Sequence, residues 1–522
     1  TDSALRFSGR FMVTKPILPS RVKRMCRYGL SMRAIMADQS FSVGGKGVRA
    51  SASPSPSGLS LTHNLVDNSR QMTQNTEWGW AEWEFGHADL GDKRRTRRAV
   101  AIATARANQS DASLPQSLGS PAEVKAGYRF FENEDVAPMA LIAAHKQRVI
   151  ERVREADEEW VFAIQDTMHM ELGEVDAWAH STMVADEKRV PYGLIQQQVW
   201  SRPATKKSTT THRKARKVED KESWKWISGI RAAGALQRAV GRSKVVCVGD
   251  RENDLYDAFA AAQENEVELL IRSAQDRRIT EDGKLRLWEY VTGQPALGES
   301  TVNIGRNSNR DARIARVQVC SVKVTLQPPS RSKASRARAP IPVWAIHVIE
   351  VDPPKGVEPI EWLLLTTVKT ETLEEAIRRV RWYAIRWLIE MFHKVLKSGC
   401  QIEERQFETL PNFQRYLAID SVVAWRVLFL TVIGRVEPDM PCSAILEVEE
   451  WQTLFAYHHP KKAIPAAPPR LIDAVIWIAK LGGFLGRKSD GQPGIIVIWR
   501  GIQRLQVMTL GFIVARQLVG KG

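Results

Sequence analysis

The sequence predicts an α/β protein: a mixed sheet flanked by helices, interrupted by a β-rich insertion and set between two helical regions. Three observations carry this. Apolar runs at residues 160–164 and 245–248 read as strands, and each leads to an aspartate, Asp166 and Asp250. Stretches rich in β-branched or apolar residues follow at 317–326, 343–351 and 362–367. Helical patterns fill residues 121–131 and 139–155 before the strands, and 371–397, 412–435 and 471–485 after them.

At 522 residues the chain has room for roughly two to four domains, and 43% hydrophobic residues allow sizeable cores. A net charge of +16 and a pI of 9.7 make a polyanion the natural partner. Residues 1–71 hold 11 Lys+Arg against 3 Asp+Glu, which is half of the excess. In the remainder, bases mix with acids and read as patches on a folded surface. Five cysteines (Cys26, Cys247, Cys320, Cys400 and Cys442) are scattered, with no pairing or Cys/His cluster suited to zinc. The pattern fits a reducing cytoplasm, and Cys247 reads as a buried thiol. No run of about 18 apolar residues occurs, so no transmembrane helix and no membrane partner are expected. The N-terminus lacks the compact apolar stretch of a signal peptide.

Residues 1–75 contain none of the chain's 17 tryptophans, and 51–60 are rich in Ser and Pro. They are predicted to be a disordered leader. Because the chain opens at Thr1, residues 1–71 are expected to reflect translation upstream of a natural start at Met72.

Order is expected from Trp78. Asp92 suits the N-cap of a helix running through the Ala-rich residues 99–107. Its first two turns would carry Arg94, Arg95, Arg97 and Arg98, a placement that opposes the helix dipole. Phosphate binding would explain it; an ordinary solvated face is the alternative. Further along, 182–185, 192–200 and 267–272 read as strands, and 222–240 and 254–263 as helices. Residues 206–217 form a basic loop. The strand at 317–326 switches its apolar phase from Val317 and Val319 to Val322 and Val324, as a bulge would. The loop at 328–340 carries Arg331, Lys333, Arg336 and Arg338, and is either a tip facing nucleic acid or a solvated tip.

If residues 371–397 form one helix, advancing about 100° per residue puts Tyr383, Arg386, Glu390 and Lys397 within about 60° of one another. His393 and Lys394 flank that stripe, and Ile385, Leu388, Ile389, Phe392, Val395 and Leu396 fall opposite. One reading is a solvated face laced with ion pairs. The other joins Glu390 to Asp166 and Asp250: carboxylates at the ends of adjacent strands, plus one from a helix, can hold two divalent metal ions over a phosphate.

The ordered set of Asp166, Asp250, a β-rich insertion and Glu390 resembles the DDE transposases of bacterial insertion sequences. The tightest match is Tyr-x2-Arg-x3-Glu-x6-Lys, here Tyr383, Arg386, Glu390 and Lys397. It marks the insertion-sequence-four family, which includes the transposase of transposon Tn-five. Leu90, Gly91 and Asp92 with Arg94 to Thr96, then Tyr128 to Phe130, resemble the family's DNA-binding start. Asp250 to Glu252, Pro353 to Gly356, Trp362 to Thr366 and Leu481 to Phe484 match further segments. The resemblance spans about residues 77–510.

This resemblance implies an RNase H-like catalytic core. The expected domains are the leader 1–75, a helical DNA-binding domain 76–145, a catalytic domain 146–435 with an insertion at about 275–361, and a helical dimerisation domain 436–522. It implies cut-and-paste transposition with a DNA hairpin step. Asp166, Asp250 and Glu390 would be catalytic and would hold two Mg²⁺ ions, with Mn²⁺ able to substitute. Tyr383, Arg386, Lys394 and Lys397 would position the phosphate. Arg94, Arg95 and Arg98 would contact the element's end. Trp362 would receive a base moved out of the stack, the alternative being a core tryptophan. The implied partners are double-stranded DNA, as end repeats and target, and a second copy in a synaptic homodimer. His169 reads as structural, and Arg251 and Glu252 as supports of Asp250. A non-cutting DNA-binding inhibitor and a stand-alone RNase H-like nuclease remain as alternatives.

Overall fold

The structure, a computed structural model, describes residues 41–42, 79–173, 175–202, 222–283, 285–304, 313–330, 337–487 and 489–519. The expected disordered leader lies outside these apart from residues 41 and 42, as do the basic loop at 206–217 and Arg331, Lys333 and Arg336. The chain forms two compact units. The smaller comprises residues 1–45, 299–318 and 348–361, and the larger 46–298, 319–347 and 362–522.

In the smaller unit a two-residue strand, β1 (Phe41–Ser42), pairs antiparallel with Val302 and Thr301. Glu350 is buried there; it pairs with Arg313 and accepts the Ile360 N–H at 3.1 Å. A buried carboxylate needs such partners to be tolerated.

The larger unit opens with helices α1 (Gly79–Phe85), α2 (Lys93–Asn108), α3 (Leu114–Leu118), α4 (Pro121–Glu132) and α5 (Pro138–Ala156). Asp92 caps α2 as expected, its carboxylate accepting the Arg94 N–H at 2.7 Å. Ser113 and Ser120 cap α3 and α4, and each of these helices has a proline in its first turn, where no intrahelical N–H is needed. A buried polar knot joins this section to the sheet. Glu84 pairs with Arg152 and with His145 Nδ1 at 2.6 Å, and His145 Nε2 accepts the Leu194 N–H at 3.0 Å. That acceptance leaves the His145 proton on Nδ1, facing Glu84; burial pushes the imidazole pKa down to about 3, so the ring is neutral.

The strands that follow β1 are β2 (Trp160–Leu172), β3 (Val175–Asp186), β4 (Pro191–Ser201), β5 (Lys244–Gly249), β6 (Glu268–Arg272), β7 (Gly298–Ile304), β8 (Arg313–Leu326), β9 (Ile341–Glu350) and β10 (Glu361–Thr366). Helices α6 (Trp224–Val240), α7 (Tyr256–Glu264) and α8 (Leu287–Thr292) interleave with them. Within the larger unit the strand order is β8-β9-β10-β6-β5-β2-β3-β4. β2, β5 and β6 run parallel, while β3, β4 and β10 are antiparallel to their neighbours. Parallel strands covered on both faces read as unbroken apolar runs. Accordingly Val161, Phe162, Ala163 and Ile164 on β2, and Val245, Val246, Cys247 and Val248 on β5, are all fully buried. This is the mixed, helix-flanked, RNase H-like sheet that the sequence predicts.

Two local expectations are corrected. β2 does not stop before Asp166; it continues to Leu172, because beyond Ile164 it pairs with β3 as one arm of a long hairpin. Residues 371–397 are not one helix. Thr372 starts α9 (Leu373–Ile385) with a capping box, the helix tightens at Arg386, and α10 (Trp387–Lys394) runs into a wide turn at Val395–Gly399. The phase switch in β8 is present. Ala315, Val317 and Val319 are buried, then Cys320, Val324 and Leu326.

Four helices follow: α11 (Leu410–Val436), α12 (Val448–His458), α13 (Leu471–Leu481) and α14 (Ile495–Val519). By length and hydropathy α11 would cross a membrane, but 89% of its most apolar window is buried inside the protein. It is a core helix, packed on β4, α2 and α5. α13 and α14 touch backbone to backbone. A Cβ on Gly482 would sit 1.9 Å from the Val497 carbonyl oxygen, and one on Gly501 1.8 Å from that of Ile478.

Candidate active site

The faces of β2 follow from its neighbours. Gln165 lies against Gly229 of α6. Trp160 and Phe162, of the opposite parity, pack on Trp382 of α9. Asp166 shares their parity, so it faces the helix pair that carries Glu390. In the parallel pairing of β2 with β5 the final matched residues are Ile164 and Val248. Asp166 and Asp250 each stand two residues beyond that pair, which sets them side by side on one face.

The third acid arrives through an arginine. Arg386 Nη1 donates to Asp166 Oδ2 at 3.1 Å and Nη2 donates to Glu390 Oε1 at 2.5 Å. The three side chains are 11%, 18% and 21% exposed, so the cluster is at the edge of the core, open to a ligand. Asp166 also accepts the Thr167 N–H at 2.8 Å, and Asp250 the Glu252 N–H at 2.8 Å. Burial, then repulsion from Asp166, pushes the Asp250 carboxyl up to about 6 against the pull of Arg386. Burial opposes the charge on Arg386, but Tyr383, Asp166, Glu390 and Asp250 hold its pKa above the ordinary arginine value.

The stripe of α9 and α10 faces inward, which removes the solvated-face reading. Tyr383 is 1% exposed, and burial raises its pKa. The predicted apolar face is buried throughout, from Ile385 to Leu396. Lys397 donates to Glu403 Oε1 at 2.8 Å, and the same oxygen accepts the Glu171 N–H at 3.1 Å. Glu403 has no flag in the sequence; it reaches Lys397 only because Gln401 takes a left-handed conformation (φ 49°) and turns the chain back. Lys394 is exposed. His393 lies close to Asp166, and burial lowers its imidazole to about 4.

Other expected residues are placed differently. Trp362 is 1% exposed at the start of β10, which is the core alternative; its indole is sealed from any stacked base in this conformation. Arg95 is tied to Asp135 and to the Leu90 carbonyl, and Arg98 pairs with Glu123, so both hold the helical section together. Arg94 and Arg97 are exposed on α2. His169 pairs with Asp176 at 3.3 Å and packs against Trp178, a structural role. Glu252 pairs with Lys225 at 3.1 Å next to Asp250.

Three carboxylates are hard oxygen donors of the kind that suits Mg²⁺, and the raised Asp250 carboxyl marks a place where added positive charge would be welcome. Among the described residues no three His, Cys, Asp or Glu side chains are already close enough to share one ion. Here the Arg386 guanidinium stands between Asp166 and Glu390. The donor set fits a divalent cation.

Three family models match in series. "Transposase DNA-binding" covers residues 77–136, "Transposase DDE domain" residues 143–422, and "Transposase Tn5 dimerisation domain" residues 422–522. Among solved structures the chain is similar to a piggyBac transposase synaptic complex with hairpin DNA, at 9% identity and a TM-score of 0.30, over 74% of this chain and 77% of that one. DNA-binding and dimerisation segments thus flank a nuclease and strand-transfer domain. Since the DDE match alone takes in more than half of its residues, this chain belongs to the transposase DDE domain family.

Proposed function

We propose that this protein is a cut-and-paste transposase of the insertion-sequence-four type, with Asp166, Asp250 and Glu390 as its catalytic acids. One observation carries the reading. Asp166 and Asp250 each stand two residues beyond the last matched pair of two adjacent parallel strands, and Asp166 is joined to a helix glutamate through Arg386. Any one strand-end acid would be unremarked in an α/β protein; three converging on one face of the sheet need a shared ligand.

Asp166, Asp250 and Glu390 would hold two Mg²⁺ ions, or Mn²⁺ in their place. When bound, the ions would activate a water or a DNA 3′-hydroxyl for attack and stabilise the leaving oxygen. The chain's own groups supply orientation. Arg386 can grip a phosphate through two parallel N–H donors once freed from the carboxylates. Lys397, held by Glu403, offers a fixed point charge, and the exposed Lys394 adds a second. Tyr383 backs this row from the core. The neutral His393 beside Asp166 adds no competing positive charge.

In this reading the first nick frees a 3′-hydroxyl that attacks the opposite strand and closes a hairpin on the element's end. Two copies would pair two DNA ends, each end cut by the partner's site, in a bacterial cytoplasm. Arg94 and Arg97 would meet the end repeats, while Arg95 and Arg98 shape the helix that presents them.

The test uses the protein and DNA carrying the ends that flank its coding region. Mg²⁺-dependent hairpin-ended products on a denaturing gel, lost in Glu390→Ala, are expected. DNA that is retarded but never cut would overturn the catalytic reading in favour of a DNA-binding inhibitor.

A further inference from the structure

Arg386 is one cation placed where the metal-binding reading needs others. Its two terminal nitrogens reach Asp166 and Glu390, residues that come from different elements. The arginine is 11% exposed and its Nε has no hydrogen-bond partner, so the side chain is committed to this bridge at some cost. The break between α9 and α10 falls on Arg386 itself, whose N–H is taken by the Tyr383 carbonyl at 3.2 Å in a tightened turn. The backbone thus delivers the guanidinium into the gap between the acids.

We propose that Arg386 is a built-in counter-ion: in the protein without DNA its guanidinium holds Asp166 and Glu390 in place of metal, and divalent cations bind by exchanging with it. The inference rests on the metal-binding reading of the three acids. Without such a group, three carboxylates at the edge of the core would repel one another and spread the strands from the helix. With it, the charge of the Asp166 and Glu390 pair is halved, and its pull on Asp250 is outweighed by that residue's burial. A divalent cation entering the gap meets the like charge of the guanidinium, which already occupies the approach to Asp166 Oδ2 and Glu390 Oε1. Metal entry therefore releases the guanidinium. A DNA phosphate arriving with the metal offers the fork a new bidentate partner. The free protein would hold metal weakly and take it up firmly only with DNA, which limits stray cutting.

The experiment measures Mn²⁺ binding to the DNA-free protein by calorimetry and by the loss of free-ion paramagnetic resonance signal, with melting temperature recorded alongside. Arg386→Ala is expected to bind Mn²⁺ at least about tenfold tighter than the unaltered protein, because a unit charge beside two ligands is gone. It is also expected to melt lower without metal and to regain that loss at saturating Mn²⁺. Arg386→Lys, which keeps the charge but cannot span both acids, should fall between and decides the matter if the alanine variant does not fold. Equal or weaker Mn²⁺ binding by both variants, with Asp166→Asn still abolishing it, would overturn the exchange and leave the metal reading standing. No Mn²⁺ binding by any of these proteins, with or without DNA, would overturn both.

Discussion

Arg106 and Asp420 are 314 positions apart and form a fully buried ion pair, with Nε and Nη2 each donating to a separate carboxylate oxygen at 3.1 Å. Arg106 also donates to the carbonyls of Gln109 and Ala112, at 3.1 and 2.6 Å, and to that of Ser110. It therefore ends the arginine-bearing helix α2 and fixes it to the core helix α11. Arg405 adds a second tie, donating to Asp111 and to Cys400, the residue that closes the catalytic helix segment.

Arg106→Ala leaves Asp420 buried and uncompensated and is expected to cost about 3–5 kcal/mol. Arg106→Met combined with Asp420→Leu should cost less than the single change, although the three carbonyls still lose their donor. Urea unfolding of the three proteins checks the order.

Asp166→Asn, Asp250→Asn and Glu390→Gln should each lower strand cleavage by at least about 100-fold, the scale of losing one preorganised charge-stabilising group. Retardation of end-repeat DNA should persist in all three, since α2 is untouched. A gel with cut and shifted species side by side separates the two effects.

Arg94→Ala and Arg97→Ala should weaken DNA binding and flatten its salt dependence by about one phosphate contact each. Arg95→Ala should instead lower stability, because it frees Asp135 and the Leu90 carbonyl. Binding titrations at several salt concentrations, paired with melting curves, distinguish the classes.

Val507, Leu510, Val514 and Leu518 are 60%, 51%, 56% and 69% exposed and recur at helical spacing along α14. In a segment that matches a dimerisation family, this apolar stripe is the expected contact with a second copy. Val514→Glu with Leu510→Glu should shift sedimentation toward monomer without changing the circular dichroism spectrum.

Glu447 caps α12, and burial, then Glu450, pushes its carboxyl up to about 7. An acid whose folded pKa is raised contributes stability in full below its unfolded value near 4.5, and that contribution is lost as pH rises through about 7. Glu447→Gln should therefore melt higher than the unaltered protein at pH 8, by on the order of 1 kcal/mol after screening by water, with the gap closing at pH 4.

The sequence shows the three acids, the N-cap Asp92, and the central strands plainly, because each rests on a local rule: apolar runs, capping, periodicity. What it hides depends on distant partners. β2 outlasts its apolar run because β3 pairs with it, not because of its own residues. The role of Arg386 depends on partners 220 and 4 positions away. Trp362 reads as a base platform, with core as the alternative, until its neighbours close over it. Arg95 and Arg98 look like a phosphate cluster until Asp135 and Glu123 arrive from α4 and the turn after it. Residues 436–522 read as helical without α12 and α14 being singled out, since α14 carries apolar residues on its buried side (Ile498, Ile502, Leu505) and on its exposed side (Val507, Leu510, Val514) alike.

Gly482 and Gly501 set a limit on how the C-terminal segment can change. Where two helices meet through side chains, substitutions can be absorbed by repacking. Here the spacer between α13 and α14 is a hydrogen atom on each side, so even alanine acts as a wedge driven between carbonyl-lined rods. The rest of α14, with its exposed apolar stripe, would swing about that wedge like a lever. A methyl group placed far from any partner surface would thereby misalign the whole of it.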